Sequence, residues 1–250
     1  MKPFHVFLMA GMVIISPYLP AQPKNEMPFT TSSTKANKAL RHAWVAKADS
    51  KIDESNAYIR EALNEDPDFG MGYAFMQTDK PTDRERNLEK ALSRKLSPDE
   101  KLFIEGLLAA EHGNPTADYF EPLLKKYPKD YYLNTWIMSN YIGRNQVARG
   151  IEIGEMIINQ NPKFAPAYKL LGYGYMSLND YKKADASFNK YLSLRPELAN
   201  AYDSKGDYMM RLGNLEQAIA LFEKAGQMRS VASTRRAELA KAKLRYGPPS

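Results

Sequence analysis

The chain has 250 residues, 44% of them hydrophobic and 26% charged, a balance that belongs to globular proteins and excludes disordered or fibrous ones. Its 35 Lys and Arg stand against 29 Asp and Glu, and the net +6 is too small and too dispersed to point to nucleic acid. Cysteine is absent, which excludes disulfides, thiolate zinc sites, thiol nucleophiles and a lipid-modified cysteine anchor.

In chain order, Met1-Lys2 provides a short positive start and Phe4 to Ile15 an apolar stretch, after which Pro17 and Pro20 stop any helix. Ala21 then offers a small residue before Gln22. This is the layout of a secretory signal peptide over 1–21, cleaved after Ala21, and it implies a protein exported to a periplasm or beyond. The apolar stretch is shorter than the roughly 20 residues a membrane helix needs, and no later stretch is apolar enough to cross a bilayer. Residues 22–35 carry Pro23 and Pro28 without periodicity and read as a flexible lead-in, its Thr/Ser cluster ready to cap the first helix.

From residue 36 onward the apolar spacing is three, four or seven, the signature of helices. A first unit, 36–69, carries Ala39, Ala43, Ile59, Ala62 and Pro67. A degenerate one, 70–96, keeps a helix start at Thr82-Asp83-Arg84-Glu85 and the stripe Leu88, Ala91, Leu92. The unit 97–130 opens with Ser97-Pro98-Asp99-Glu100, a capping box with proline at the first helical position. Its turn, His112-Gly113-Asn114-Pro115, runs about two residues late, and Pro122 should kink its second helix. The unit 131–164 keeps Ile137, Tyr141 and Pro162 but places Gly150 and Gly154 in its second helix, which should weaken it.

The clearest unit is 165–198, with the stripe Tyr168, Leu171, Tyr175, a turn at Asn179-Asp180, and a second stripe Tyr181, Ala184, Phe188, Tyr191. The unit 199–232 repeats it. Residues 233–246 make a last helix with Ala237, Ala240 and Leu244 on one side, suited to cap a stack, and 247–250 form a tail. The period is 34: Pro128, Pro162 and Pro196 fall on it, as do Tyr141 and Tyr175, Tyr168 and Tyr202, Gly172 and Gly206, Ala184 and Ala218, and Phe188 and Phe222.

These columns resemble the tetratricopeptide repeat (TPR). Tyr168, Leu171-Gly172, Tyr175, Ala184, Phe188 and Pro196 meet its pattern, with Tyr191 replacing a second Ala. Tyr202, Gly206, Ala218, Phe222 and Ala225 meet it again, with Lys205, Met209 and Ser230 departing from it. The resemblance implies an all-α fold, a right-handed TPR superhelix (an α-α solenoid) of about six helix-turn-helix units plus the C-terminal capping helix. It also implies that the first helix of each pair lines a concave groove. The positions that contact ligand in such repeats fall here on Lys101, Glu105, Tyr132, Thr135, Ser139, Lys169, Tyr173, Met176, Asn200, Asp203, Asp207 and Met210. Rings, thioethers and scattered charges suit capture of a peptide. Lys169 also matches the first position of the family's chaperone-tail mode. That mode is disfavoured, because Tyr173 replaces the following Asn and Ser204 with no third cation follows.

Chemistry is sparse. His42 and His112 lie in different units, His5 lies in the leader, and no nucleophile sits at a base's spacing. Gly70-Met71-Gly72 and Gly172-Tyr173-Gly174 lack the third glycine and the preceding strand of a nucleotide loop. Asp203 and Asp207, one turn apart, read as a polar helix face. The expectation is a non-enzymatic scaffold with no cofactor and no metal, binding a protein or peptide segment in the envelope. The alternative is an envelope protein that meets anionic glycans or surfaces through its basic end. There Arg229, Arg235, Arg236, Lys241, Lys243 and Arg245 face only Glu238. No aromatic residue interleaves these cations before Tyr246, so nucleic acid is not expected.

Overall fold

The structure, a computed structural model, describes residues 26–78, 80–228 and 231–246; the expected leader and the tail 247–250 lie outside them. Thirteen helices and no strand occur among the described residues. They are α1 (Thr34–Ala48), α2 (Ile52–Glu65), α3 (Gly70–Phe75), α4 (Pro81–Leu92), α5 (Pro98–Glu111), α6 (Ala117–Lys126) and α7 (Tyr131–Gly143). After these come α8 (Val147–Gln160), α9 (Ala165–Ser177), α10 (Tyr181–Leu194), α11 (Ala199–Arg211), α12 (Leu215–Gln227) and α13 (Val231–Tyr246). Each odd helix pairs with the even one after it and each hairpin packs on the next, an all-α solenoid of six hairpins closed by α13.

Five of the six hairpin turns follow one chemistry. Ser50, Gly113, Asn145, Asn179 and Gly213 adopt positive φ between 58° and 78°, each just past a first helix. The residue after each donates its amide back five residues: Lys51 to Ala46, Asn114 to Ala109, Gln146 to Tyr141, Asp180 to Tyr175 and Asn214 to Met209, all at 2.9 Å. This left-handed helix stop satisfies carbonyls that would otherwise be orphaned and folds the chain back. Between units a second clip recurs. Tyr73, Tyr168 and Tyr202 donate their hydroxyls to the carbonyls of Pro67, Pro162 and Pro196 at 2.9, 3.1 and 3.1 Å. At the corresponding place in 131–164 the tyrosine is Asn134, whose amide reaches the carbonyl of Pro128 at 3.2 Å. The capping box of α5 forms as expected, Ser97 accepting from the Glu100 amide and Glu100 from the Ser97 amide.

The core runs through the hairpins as a continuous apolar seam. At its N-terminal half it is a chain of rings: Trp44 lies 4.6 Å from Phe75, Phe75 is 4.7 Å from Trp136 and 5.8 Å from Phe103, and Phe120 links Phe103 to Tyr141. The lead-in departs from expectation. Residues 26–33 are not a free tether, because Met27 and Phe29 are buried and Phe29 stacks edge-on against Trp44 at 5.2 Å. Their backbone is bonded as well: Met27 N–H donates to Asp130 at 2.9 Å and Thr30 N–H to the buried Glu100 at 2.7 Å. Two carboxylates far along the chain therefore hold this segment down, a long-range arrangement that local composition does not show. α6 runs through Pro122.

The solenoid also meets itself. α1 touches α7, and the turn after α1 reaches the fifth hairpin. Arg195, at the end of α10, grips Asp49 with both terminal nitrogens at 2.6 and 2.7 Å. Lys169 of α9 donates to the Ala48 carbonyl at 2.8 Å and to Ser50 Oγ at 2.9 Å.

Candidate functional site

That return of the first hairpin encloses a cavity of about 420 Å³. Its walls come from the end of α1 (Trp44, Lys47), the α3–α4 connection (Gln77, Thr78), Arg84 of α4, Leu107 and Glu111 of α5, and the exposed face of α7 and α9. From α7 come Tyr132, Thr135, Trp136, Ser139 and Asn140, one helical face at three- and four-residue spacing; from α9 come Lys169 and Leu170.

Three cations and one carboxylate set its electrostatics. Lys47 donates to Gln77 Oε1 and sits 4.8 Å from the centre of the Trp136 ring. Arg84 donates to the Ala74 carbonyl at 2.5 Å and lies 3.6 Å from Glu111. Burial, reinforced by Arg84 and Lys169, pulls Lys47 from its ordinary 10.5 down to about 8. Burial likewise brings Lys169 to about 8, Asp49 opposing and Arg195 assisting, and pulls Arg84 down. Tyr132 is pushed up to about 12, chiefly by burial and then by Asp49. This is a recess that can hold an organic group and whose charge is unbalanced toward positive.

A second polar cluster ties the cap to the stack. Tyr173 donates to Asp207 at 2.9 Å, Arg236 of α13 meets both Asp203 and Asp207, and Ser233 donates to Asp203 at 2.7 Å. Burial raises the carboxyl of Asp207, against the pull of Arg236.

The description "tetratricopeptide repeat" belongs to the family whose model matches residues 165–198 and 199–229. Residues 165–229 thus carry two tetratricopeptide repeats. Solved structures agree on the fold. A tetratricopeptide repeat protein from Parabacteroides merdae is similar at TM-score 0.55 and 15% identity, over 86% of this chain and 88% of that one. A thermophilic TPR protein of Thermus thermophilus is similar at TM-score 0.52 and 17% identity, over 82% of this chain and 98% of that one. Among curated proteins none matches the chain.

The residues expected to meet a ligand divide into three groups. Tyr132, Thr135, Ser139 and Lys169 line the cavity together. Tyr173, Asp203 and Asp207 sit in the cap cluster; Asn200 accepts from Tyr191 at 3.1 Å, and Met176 and Met210 pack against the apolar seam and the cap core. Lys101 and Glu105 face each other on α5, 3.7 Å apart, away from the cavity. Trp44, Lys47, Gln77, Arg84, Glu111 and Trp136 were not expected to share a site. The available signal was that Trp44 and Trp136 are the two tryptophans of the chain, yet only the return of α1 brings them together. Of the basic terminal helix, Arg236 is spent on the cap cluster and Lys241 pairs with Glu223 at 2.8 Å. No described helix is long and apolar enough to cross a membrane.

Proposed function

We propose that this TPR protein is a non-enzymatic interaction scaffold of the cell envelope, and that it seats a segment of a partner protein in the cavity framed by α1, α7 and α9. The fold is one that presents surfaces formed by successive first helices, and protein or peptide partners are the coarse reading that fold supports. The observation that carries the finer reading is the cavity itself. It lies where first helices face the returning α1, and its aromatic, amide and cationic walls are of the composition that binding pockets use. The leader-like residues 1–21 support an envelope location. The cations of α13 that pair with Asp203, Asp207 and Glu223 are less suited to gather anionic surfaces.

Ser139 is exposed at the cavity wall, so Ser139→Trp fills the recess from its rim without removing a packed group. Cross-linking in the native envelope followed by mass spectrometry should lose a specific partner in Ser139→Trp and keep it in Lys101→Ala, which lies off the cavity. A partner set unchanged by Ser139→Trp overturns the reading.

A further inference from the structure

Lys47, Arg84 and Lys169 reach one cavity from three helices, and their hydrogen bonds go mostly to neutral oxygens: Gln77 Oε1, the Ala74 carbonyl, the Ala48 carbonyl and Ser50 Oγ. Glu111 is the carboxylate that lines the cavity beside them, and it serves Arg84. Two positive charges are thus left over on half-buried side chains in one recess, where like charges repel more strongly than in open water. Two further groups are incomplete. Trp44, 2% exposed, has a buried indole N–H with no acceptor, and Asn140 has a buried Oδ1 with no donor. Both residues line the cavity.

We propose that this cavity is an anion site that takes a carboxylate carried on an apolar body. The carboxylate meets the leftover charge of Lys47 and Lys169. The rings of Tyr132 and Trp136 with Leu107 and Leu170 receive the apolar body, which distinguishes such a ligand from inorganic phosphate. The proposal deepens the scaffold reading, because an acidic side chain of a bound segment has this chemistry, and so has a free acylated amino acid.

Both tryptophans line the cavity, so intrinsic fluorescence of the full chain reports on it directly. Three probes decide the matter: acetyl-Phe-Glu-amide, its neutral isostere acetyl-Phe-Gln-amide, and free acetyl-phenylalanine. At least one of the two carboxylate probes should give a saturable change, at least tenfold tighter than the Gln peptide. Tighter binding of the Glu peptide assigns the site to a protein segment; tighter binding of acetyl-phenylalanine assigns it to a small molecule. Lys47→Met should weaken binding at least tenfold and Lys47→Arg should restore it. Glu111→Gln should tighten it severalfold, a gain that misfolding does not imitate. Affinity should fall as pH rises past about 8, where Lys47 and Lys169 lose their protons in the presence of Arg84, Arg195, Glu111, Asp49 and Tyr132. A Gln peptide that binds within tenfold of the tighter carboxylate probe, or no saturable signal from any probe, overturns the proposal. In that event a partner lost in Ser139→Trp would still leave the scaffold standing; bound probes with an unchanged partner set would do the reverse.

Discussion

Gly172 and Gly206 each lie flat against a phenylalanine of the opposing helix, and a Cβ built on either would stand 2.6 or 2.5 Å from the ring of Phe188 or Phe222. Gly106 meets Phe120 in the same way at 2.6 Å, although the two are closer in sequence, because the turn of that hairpin is displaced. Glycine is needed at these positions for proximity, since none of the three has a positive φ. Gly206→Ala must push a buried ring aside, and overpacking of this kind costs about 1–3 kcal/mol. Gly143 is the control. It ends the first helix of its hairpin, and nothing lies within 4 Å of its missing Cβ. Gly143→Ala should therefore be neutral or stabilise by up to about 1 kcal/mol, through helix propensity alone. Urea denaturation of the two variants reads the difference; no loss in Gly206→Ala would mean that Phe222 yields freely.

At the scale of helices, 131–164 shows why a weak column can still be a well-packed hairpin. Where its neighbours place Gly172 against Phe188 and Gly206 against Phe222, this hairpin has Met138 against Gly154: the large and the small member have changed sides. A Cβ on Gly154 would meet the Met138 terminus at 2.5 Å and Leu171 at 2.7 Å, and one on Gly150 would meet Ile142 at 2.5 Å. Read from sequence, Gly150 and Gly154 look only like helix weaknesses, and Met138 like a lapse from the pattern. In space they compensate each other, at the cost in propensity that glycine carries in any helix. Met138→Gly should leave a void, and Gly154→Phe should clash with both Met138 and Leu171. The double variant should restore the Gly-and-Phe arrangement of the neighbours, so a double-mutant cycle should show favourable coupling of about 1–2 kcal/mol. Simple additivity would mean that the two positions do not share space.

For the whole molecule, what the sequence made legible was everything that repeats. The period of 34 is visible because Gly172 with Phe188, Pro162 with Tyr168, and Asn179 at its turn are local devices, each built from residues a few turns apart. The cavity was half legible, since Tyr132, Thr135, Ser139 and Lys169 follow from helix spacing on α7 and α9. Lys47, Arg84 and Trp44 do not, because they depend on the curvature that brings α1 back onto α7, and no local signal encodes a contact between residues as far apart as Asp49 and Arg195. That contact is the testable hinge of the architecture. Asp49 is 7% exposed in its side chain and receives both terminal nitrogens of Arg195, so Asp49→Ala strands a half-buried guanidinium whose other carboxylate, Glu197, is exposed. Loss of hydrogen bonds to a charged group of this kind costs about 1.5–3 kcal/mol. The loss should be local rather than global, since each hairpin of a solenoid leans chiefly on its neighbours. Hydrogen exchange should therefore quicken in α1 and α2 of Asp49→Ala while α11 and α12 keep their protection. Because α1 supplies Trp44 and Lys47, the tryptophan emission of the cavity should shift in the same variant. Unchanged exchange in α1 would show that the lead-in, held by Asp130 and Glu100, closes the solenoid without the Asp49 contact.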